Sequence, residues 1–503
     1  MKLTSSASRR RPSRRPTAGW TALALAAGLG AGCGPGEPPA GATAEDSGPR
    51  RRPNLLLITV DTLRADHLSA WGYARPTSPR IDRLAAEGVR FAAAQVQWPK
   101  TGPSFASMFT STYPKDNENV RQVGIPLPCD FTTVAERLQR AGYQTRAVVA
   151  NGALAREFNF DQGFDAYVEA WKEPHPTGGD PIRAENVTRL ALETAGSFAA
   201  DRPWFLWVHY IDPHFPYEAP KPWRGRFQGD EHFERDPRRI RLLDKHSNQM
   251  GAIGKRQTLN GQDRLAFYVA RYDAEIAYAD EQIGVLLDGL GAEGRLADTL
   301  TAFTSDHGES LGEHHFYFDH GRFAFQTCLH VPFVLHWPGR IAPRVEEAPV
   351  ELLDLAPTLL EAAGLLAPGA DWAQGTSLWP VLTGAARPAA PVFAEGGTAT
   401  RGNWIKTARD GRFKVHHTRM GGEQRWIGGP GVDLVLYDLE ADPGETANVA
   451  ANHPEVAERL KRELWRWWNE PKFDVHTDDR LECGEGREVE GDTTEQLRAL
   501  GYL

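Results

Sequence analysis

The sequence predicts an α/β fold: a largely parallel central sheet with helices on both faces, then a small C-terminal subdomain of antiparallel strands and one helix. Three observations predict it. Short, uninterrupted apolar runs recur along the chain, as strands buried on both faces require. Amphipathic stretches of helical length separate them, the alternation expected of βαβ units. After about residue 385 the texture changes to short apolar segments between Gly-rich turns.

The N-terminal 33 residues read as a targeting segment. Lys2 and five arginines between Arg9 and Arg15 precede an apolar stretch, 20–32, which ends in Ala31-Gly32-Cys33. That stretch is too short to span a bilayer comfortably. It resembles a bacterial lipoprotein signal, although Gly30 stands where such signals usually carry an aliphatic residue. The resemblance implies export and attachment to the membrane through a lipid on Cys33, in the periplasm or at the cell surface; an ordinary cleaved signal is the alternative. Residues 34–52, rich in Gly, Pro, Ala and charge, suit a flexible linker.

The body of the chain follows as one large α/β domain, expected over 53–385. Its first strand is the apolar run 55–60, and further buried strands are expected at 145–149, 204–210, 300–304 and 331–336. Amphipathic helices are expected at 132–141, 268–290 and 352–363. In the C-terminal subdomain and tail, 386–503, strands are expected around 404–406, 413–416 and 434–437, and a helix at 454–468. Trp465, Trp467 and Trp468 read as the apolar face of that helix rather than as a binding patch.

Composition narrows the partners. The formal net charge is −9, and removal of the first 32 residues, with six basic and no acidic side chains, takes it to −15. No basic patch is visible in the body, which excludes nucleic acid as the expected partner. Beyond Cys33 the cysteines are Cys129, Cys328 and Cys483, which form neither a disulfide scaffold nor a CxxC metal pair. One disulfide and one free thiol is one of the pairings they allow.

Four polar clusters each sit at the end of a predicted strand or the start of a predicted helix. Asp61 ends the first strand, on the edge where open α/β sheets place ligands. Thr101, in Thr101-Gly102-Pro103-Ser104, precedes a helical pattern, so its hydroxyl faces free N–H groups and the positive end of a helix dipole. Asp306-His307-Gly308-Glu309 follows the apolar run 300–304, and adjacent Asp and His can offer oxygen and nitrogen to one cation. His314, His315 and His320 follow closely. His209-Tyr210-Ile211-Asp212-Pro213-His214 ends the run 204–210. Singly, a strand-terminal Asp or a helix-capping Thr is as well explained by local structure. Together the four imply one converging site.

These segments, in this order, resemble the sulfatase family of the alkaline-phosphatase superfamily. The resemblance spans roughly residues 53–470 and includes Thr77-Ser78-Pro79, the helix with Tyr272, Asp280 and Gly284, and Leu436-Tyr437-Asp438-Leu439. It implies a metal-dependent hydrolase of sulfate or phosphate esters, with glycan or lipid esters among the substrates. Asp61, Asp306, His307 and Thr101 would hold a divalent calcium, zinc or manganese ion. Thr101, His214, His209 and His320 would act on the ester. A second metal at Asp212 has no support in the spacing.

The chain departs from the family where the chemistry is done. Thr101 stands where sulfatases carry the Cys or Ser that becomes formylglycine, Phe105 where they carry Arg, and Thr62 where they pair a second Asp. The family's lysine after the Asp-His segment is not evident, and His320 stands nearby. A threonine hydroxyl is itself the type of nucleophile used by phosphodiesterase and phosphoglycerol-transferase relatives. Three readings follow: an ester hydrolase, a phospho-alcohol transferase acting on a glycan or lipid, and a catalytically silent binder of anionic glycans.

Overall fold

The computed structural model describes residues 52–117, 125–366, 372–398, 403–419, 433–471, 473, 487–500 and 502. The targeting segment with Cys33, nearly all of the 34–52 linker, and Cys483 lie outside them.

The strands of the central sheet are β1 (Asn54–Val60), β2 (Val89–Gln95), β3 (Gln144–Val149), β4 (Ala166–Glu169), β5 (Trp204–Tyr210), β6 (Thr299–Ser305), β7 (His330–His336), β8 (Arg344–Glu346) and β9 (Val350–Glu351). They lie in the order β8-β2-β7-β6-β1-β5-β3-β4, and β9 also pairs with β2. Only β7 runs antiparallel to its neighbours. The helices of seven residues or more are α1 (Pro79–Glu87), α2 (Thr101–Thr110), α3 (Val134–Arg140), α4 (Ala184–Gly196), α5 (Leu265–Ala292), α6 (Leu355–Ala362), α7 (Pro454–Asn469) and α8 (Gly491–Leu500).

The period of two along each strand divides the core. Leu55 and Leu57 of β1, with Phe205 and Trp207 of β5, pack beneath α2, α3 and α6. Leu56, Ile58 and Val60, with Leu206 and Val208, pack on the other face against α1, α4 and α5. All five strands expected in this domain are present. Strand β2 was not expected: Val-Arg-Phe-Ala-Ala-Ala-Gln carries no period of its own, and its strand conformation comes from pairing with β7 on one side and β8 and β9 on the other.

The C-terminal part contains the antiparallel sheet β10 (Val392–Thr398), β11 (Asn403–Arg409), β12 (Phe413–Arg419) and β13 (Leu434–Asp438), in that order. Ala457, Leu460, Leu464 and Trp467 of α7 pack on it, so Trp467 is a core residue. The buried Lys414 ties this sheet to the segment at residue 324 by donating to the Ala324 carbonyl (2.7 Å). Cys129 is disulfide-bonded and Cys328 is a buried free thiol. Among the described residues no helix is long and apolar enough to cross a membrane.

Candidate active site

Strands β5, β1 and β6 are adjacent and parallel, with Val60 level with Tyr210 on one side and Ser305 on the other. Their carboxyl ends therefore deliver Asp61, the 211–214 turn and Asp306-His307 to one edge. The chain must bend sharply after Asp61, and Thr62 does so at φ 55°, a conformation that costs a β-branched residue about 1–3 kcal/mol. A clamp holds it there. The Tyr272 hydroxyl of α5 donates to the Thr62 carbonyl (2.7 Å) and accepts the Arg64 N–H (3.0 Å). Ser305 Oγ accepts the Leu63 N–H (3.0 Å) and donates to the His307 carbonyl (2.7 Å), tying the two strand ends together.

Asp61, Asp306 and His307 are fully buried, and one ligand atom from each lies within 4.8 Å of the others. Each spends one atom on the protein. Asp306 Oδ1 accepts the N–H groups of Thr62 (3.2 Å) and His307 (2.9 Å). Asp61 Oδ2 accepts from Asn151 Nδ2 (2.6 Å) and faces His209 Nε2 at 3.4 Å. His307 Nδ1 donates to the Gly308 carbonyl (2.9 Å), which leaves the Nε2 lone pair for the site. Asp61 Oδ1 and Asp306 Oδ2 have no hydrogen-bond partner among the described residues. Two buried carboxylates with one orphan oxygen each, beside an imidazole nitrogen whose lone pair faces them, form a donor set that a divalent cation fits.

The electrostatics agree. Burial, and then the charge of Asp61, push the Asp306 carboxyl well above the usual range. Burial also acts to raise Asp61, but the close His209 and the imidazoles of His214 and His307 outweigh it and leave Asp61 low. One carboxylate is ionised at its neighbour's expense, a conflict that a cation between them relieves.

Thr101 is the first residue of α2, buried, after an extended Lys100. Its Oγ1 lies 3.3 Å from His307 Nε2. Beside it the rings of His307, His320 and His214 follow one another at centroid distances of 4.2 and 5.5 Å. His320 Nδ1 faces Glu309 Oε1 (3.4 Å), and His214 Nδ1 donates to the Phe215 carbonyl (2.8 Å), leaving the buried His214 Nε2 without a partner among the described residues. Burial, and then the charge of His214, hold His320 at about 4.

Several residues occupy places the sequence did not indicate. His209 lies behind Asp61: its Nδ1 is 3.0 Å from the Thr59 hydroxyl, and its ring stands edge-on to Phe105 at 5.0 Å. Phe105, at the family's arginine position, is thus core beneath His209. Asp212 is structural, because its oxygens accept from Arg183 (2.8 Å) and the Ala184 N–H (3.0 Å) at the start of α4. His314 stacks on Phe325 (3.6 Å), outside the cluster. Gly308 has no left-handed φ; a Cβ there would meet the Thr327 carbonyl oxygen at 2.1 Å, so close approach requires the glycine. Asn151 and Tyr502, whose hydroxyl is 3.2 Å from Thr101 Oγ1, are additional site residues. Asn151 shares the signal that found Asp61, a polar residue at a strand end; nothing local distinguishes Tyr502.

The family model described as Sulfatase matches residues 53–365. The choline-sulfatase of Rhizobium meliloti is 29% identical, over 80% of this chain and 83% of its own. Human arylsulfatase A is 26% identical, over 82% and 87% respectively. Among solved structures, the phosphonate monoester hydrolase of Agrobacterium radiobacter superposes with a TM-score of 0.64 at 26% identity, covering 83% of this chain and 95% of that one.

Proposed function

The chain belongs to the sulfatase family and is a sulfatase-like ester hydrolase, and on that premise we propose that Thr101 is its nucleophile and an anionic phosphorus ester its preferred substrate, with sulfate esters as the competing class. The observation that carries this reading is the Thr101 hydroxyl, 3.3 Å from His307 Nε2 at the N-terminus of α2. The resemblance to a phosphonate monoester hydrolase supports the choice of phosphorus.

Asp61, Asp306 and His307 would hold the cation, with Thr101 beside it. When bound, such an ion supplies positive charge that favours the alkoxide form of a neighbouring alcohol and offsets the charge of the ester. The residues do the rest. The α2 N-terminus adds its dipole to the stabilisation of a Thr101 alkoxide. Thr101 releases its hydroxyl proton to solvent as Oγ1 bonds to phosphorus and the bond to the leaving oxygen breaks, and that oxygen takes up a proton. His214 Nε2, buried and without a partner among the described residues, is the group assigned to supply it, with the ring of His320 packed beside it. Water then attacks the Thr101 ester, releasing the acid and restoring the hydroxyl. His209 and Asn151 orient Asp61.

The proposal includes export and a lipid on Cys33, supported by the basic, apolar and small-residue pattern of residues 1–33. Palmitate labelling that is lost in Cys33→Ser tests it. The catalytic reading is tested by hydrolysis of aryl phosphate, bis-aryl phosphate, aryl phosphonate and aryl sulfate, each with calcium, zinc or manganese. Turnover fastest on a phosphorus ester supports the assignment, and turnover of the sulfate alone refutes it.

A further inference from the structure

The C-terminal helix α8 brings a tyrosine into the reaction centre. Leu497 and Leu500 are buried, and Gln496 grips both sides of Asn151. Its Nε2 donates to the Ala150 carbonyl (3.0 Å), and its Oε1 accepts the Gly152 N–H. A Cβ on Gly152 would lie 2.2 Å from that Oε1, so the glycine permits the grip. Thr493 donates to Glu157 (3.0 Å), and Arg487, ahead of the helix, to Asp161 (2.8 Å). Beyond the helix the Tyr502 N–H donates to the Leu497 carbonyl (2.8 Å), turning the chain back toward the site.

The hydroxyl of Tyr502 lies 3.1 Å from Asn151 Nδ2 and 3.2 Å from Thr101 Oγ1, and its ring is 5.9 Å from that of His214. The amide nitrogen can only donate, so Tyr502 accepts from Asn151, which leaves its own proton available for Thr101 Oγ1. In the absence of a cation Thr101 directs its proton at His307 Nε2, whose Nδ1–H is committed to the Gly308 carbonyl; when that Nε2 holds a cation, the Tyr502 hydroxyl remains the hydrogen bond to Thr101 Oγ1. One set of directions satisfies every member of the chain. Asn151 belongs to both ends of it, because the same amide nitrogen holds Asp61 Oδ2.

We propose that Tyr502, delivered by the docking of α8, is a positioning residue for the nucleophile: it fixes the orientation of the Thr101 hydroxyl relative to the Asp61–Asp306–His307 cluster. This rests on Thr101 being the nucleophile. Tyr502→Phe keeps the ring and removes only the hydroxyl. On whichever aryl ester is turned over, its kcat is expected to fall about 10- to 100-fold with KM within about twofold, the pattern of a misaligned attacking group. Its melting temperature should match wild type. Gln496→Ala, which loosens the helix without touching the centre, should lower kcat in the same direction. Wild-type kcat in Tyr502→Phe beside an inactive Thr101→Ala overturns the positioning role alone. Full turnover in Thr101→Ala overturns the nucleophile assignment and the positioning role with it.

Discussion

Asn151, just after strand β3, donates to Asp61 Oδ2 at 2.6 Å, and so decides which oxygen of that carboxylate stays free for the site. Removing the amide should let Asp61 rotate. Asn151→Ala is expected to weaken divalent-metal affinity about 10- to 100-fold, the usual cost of losing such a support. Titration of chelated enzyme with metal, followed by activity, measures it; an unchanged midpoint contradicts the assigned role.

The paired carboxylates give a prediction whose sign reverses with metal. Burial and Asp61 raise the Asp306 carboxyl, so folding without metal must protonate a group that the unfolded chain leaves ionised; Asp306→Asn removes that cost and in chelator should stabilise the protein by about 1–3 kcal/mol. With saturating metal the same variant should be less stable than wild type, because it lacks a ligand. Denaturant unfolding in both conditions decides; destabilisation in both would show that no such conflict exists.

Tyr272 can be tested through the bend it clamps. Tyr272→Phe leaves the buried Thr62 carbonyl and Arg64 N–H without their shared partner. The expected loss is about 2–4 kcal/mol of stability, together with reduced kcat as Asp61 shifts. Wild-type stability in this variant would mean that the turn holds itself.

Two buried histidines outside the Asp61–Asp306–His307 cluster contribute to the loss of stability in acid. Burial, and then Arg409, hold His330 at about 4, and burial, and then Lys414, hold His416 at about 4. The folded protein keeps both neutral, while the unfolded chain protonates them below about 6.5. Their contribution to stability is therefore complete above that pH and is lost as pH falls toward about 4. Each steepens the loss by ~1.4 kcal/mol per pH unit. His330→Gln, which keeps a donor for the Ala92 carbonyl, should lose one proton's worth of that slope between pH 7 and pH 5 in urea unfolding. An identical slope would refute the assignment.

The fold was legible where burial is two-sided. β1, β5 and β6 are continuous apolar runs, and the polar residues that end them had to emerge at one sheet edge, which located Asp61, His209, Asp306 and His307. What the sequence could not convey was orientation. His209 and Asp212 both follow from strand β5, yet one backs Asp61 while the other caps α4, a difference made by Arg183 and by the direction of each side chain. Strand β2 escaped because its conformation is imposed by its neighbours. Tyr502 escaped because its position depends on the docking of α8 against residues some 340 positions earlier, through Gln496 and Gly152.

Every step of the proposed chemistry passes through Thr101 Oγ1. The most direct measurement is rapid quenching of the enzyme during turnover of its best aryl ester, followed by mass spectrometry of the peptide containing Thr101. The account predicts a phosphoryl, phosphonyl or sulfuryl adduct on Thr101 that forms and decays at rates compatible with kcat, and its absence in an inactive Thr101→Ala. Turnover without any adduct on that peptide, and retained by Thr101→Ala, would contradict it.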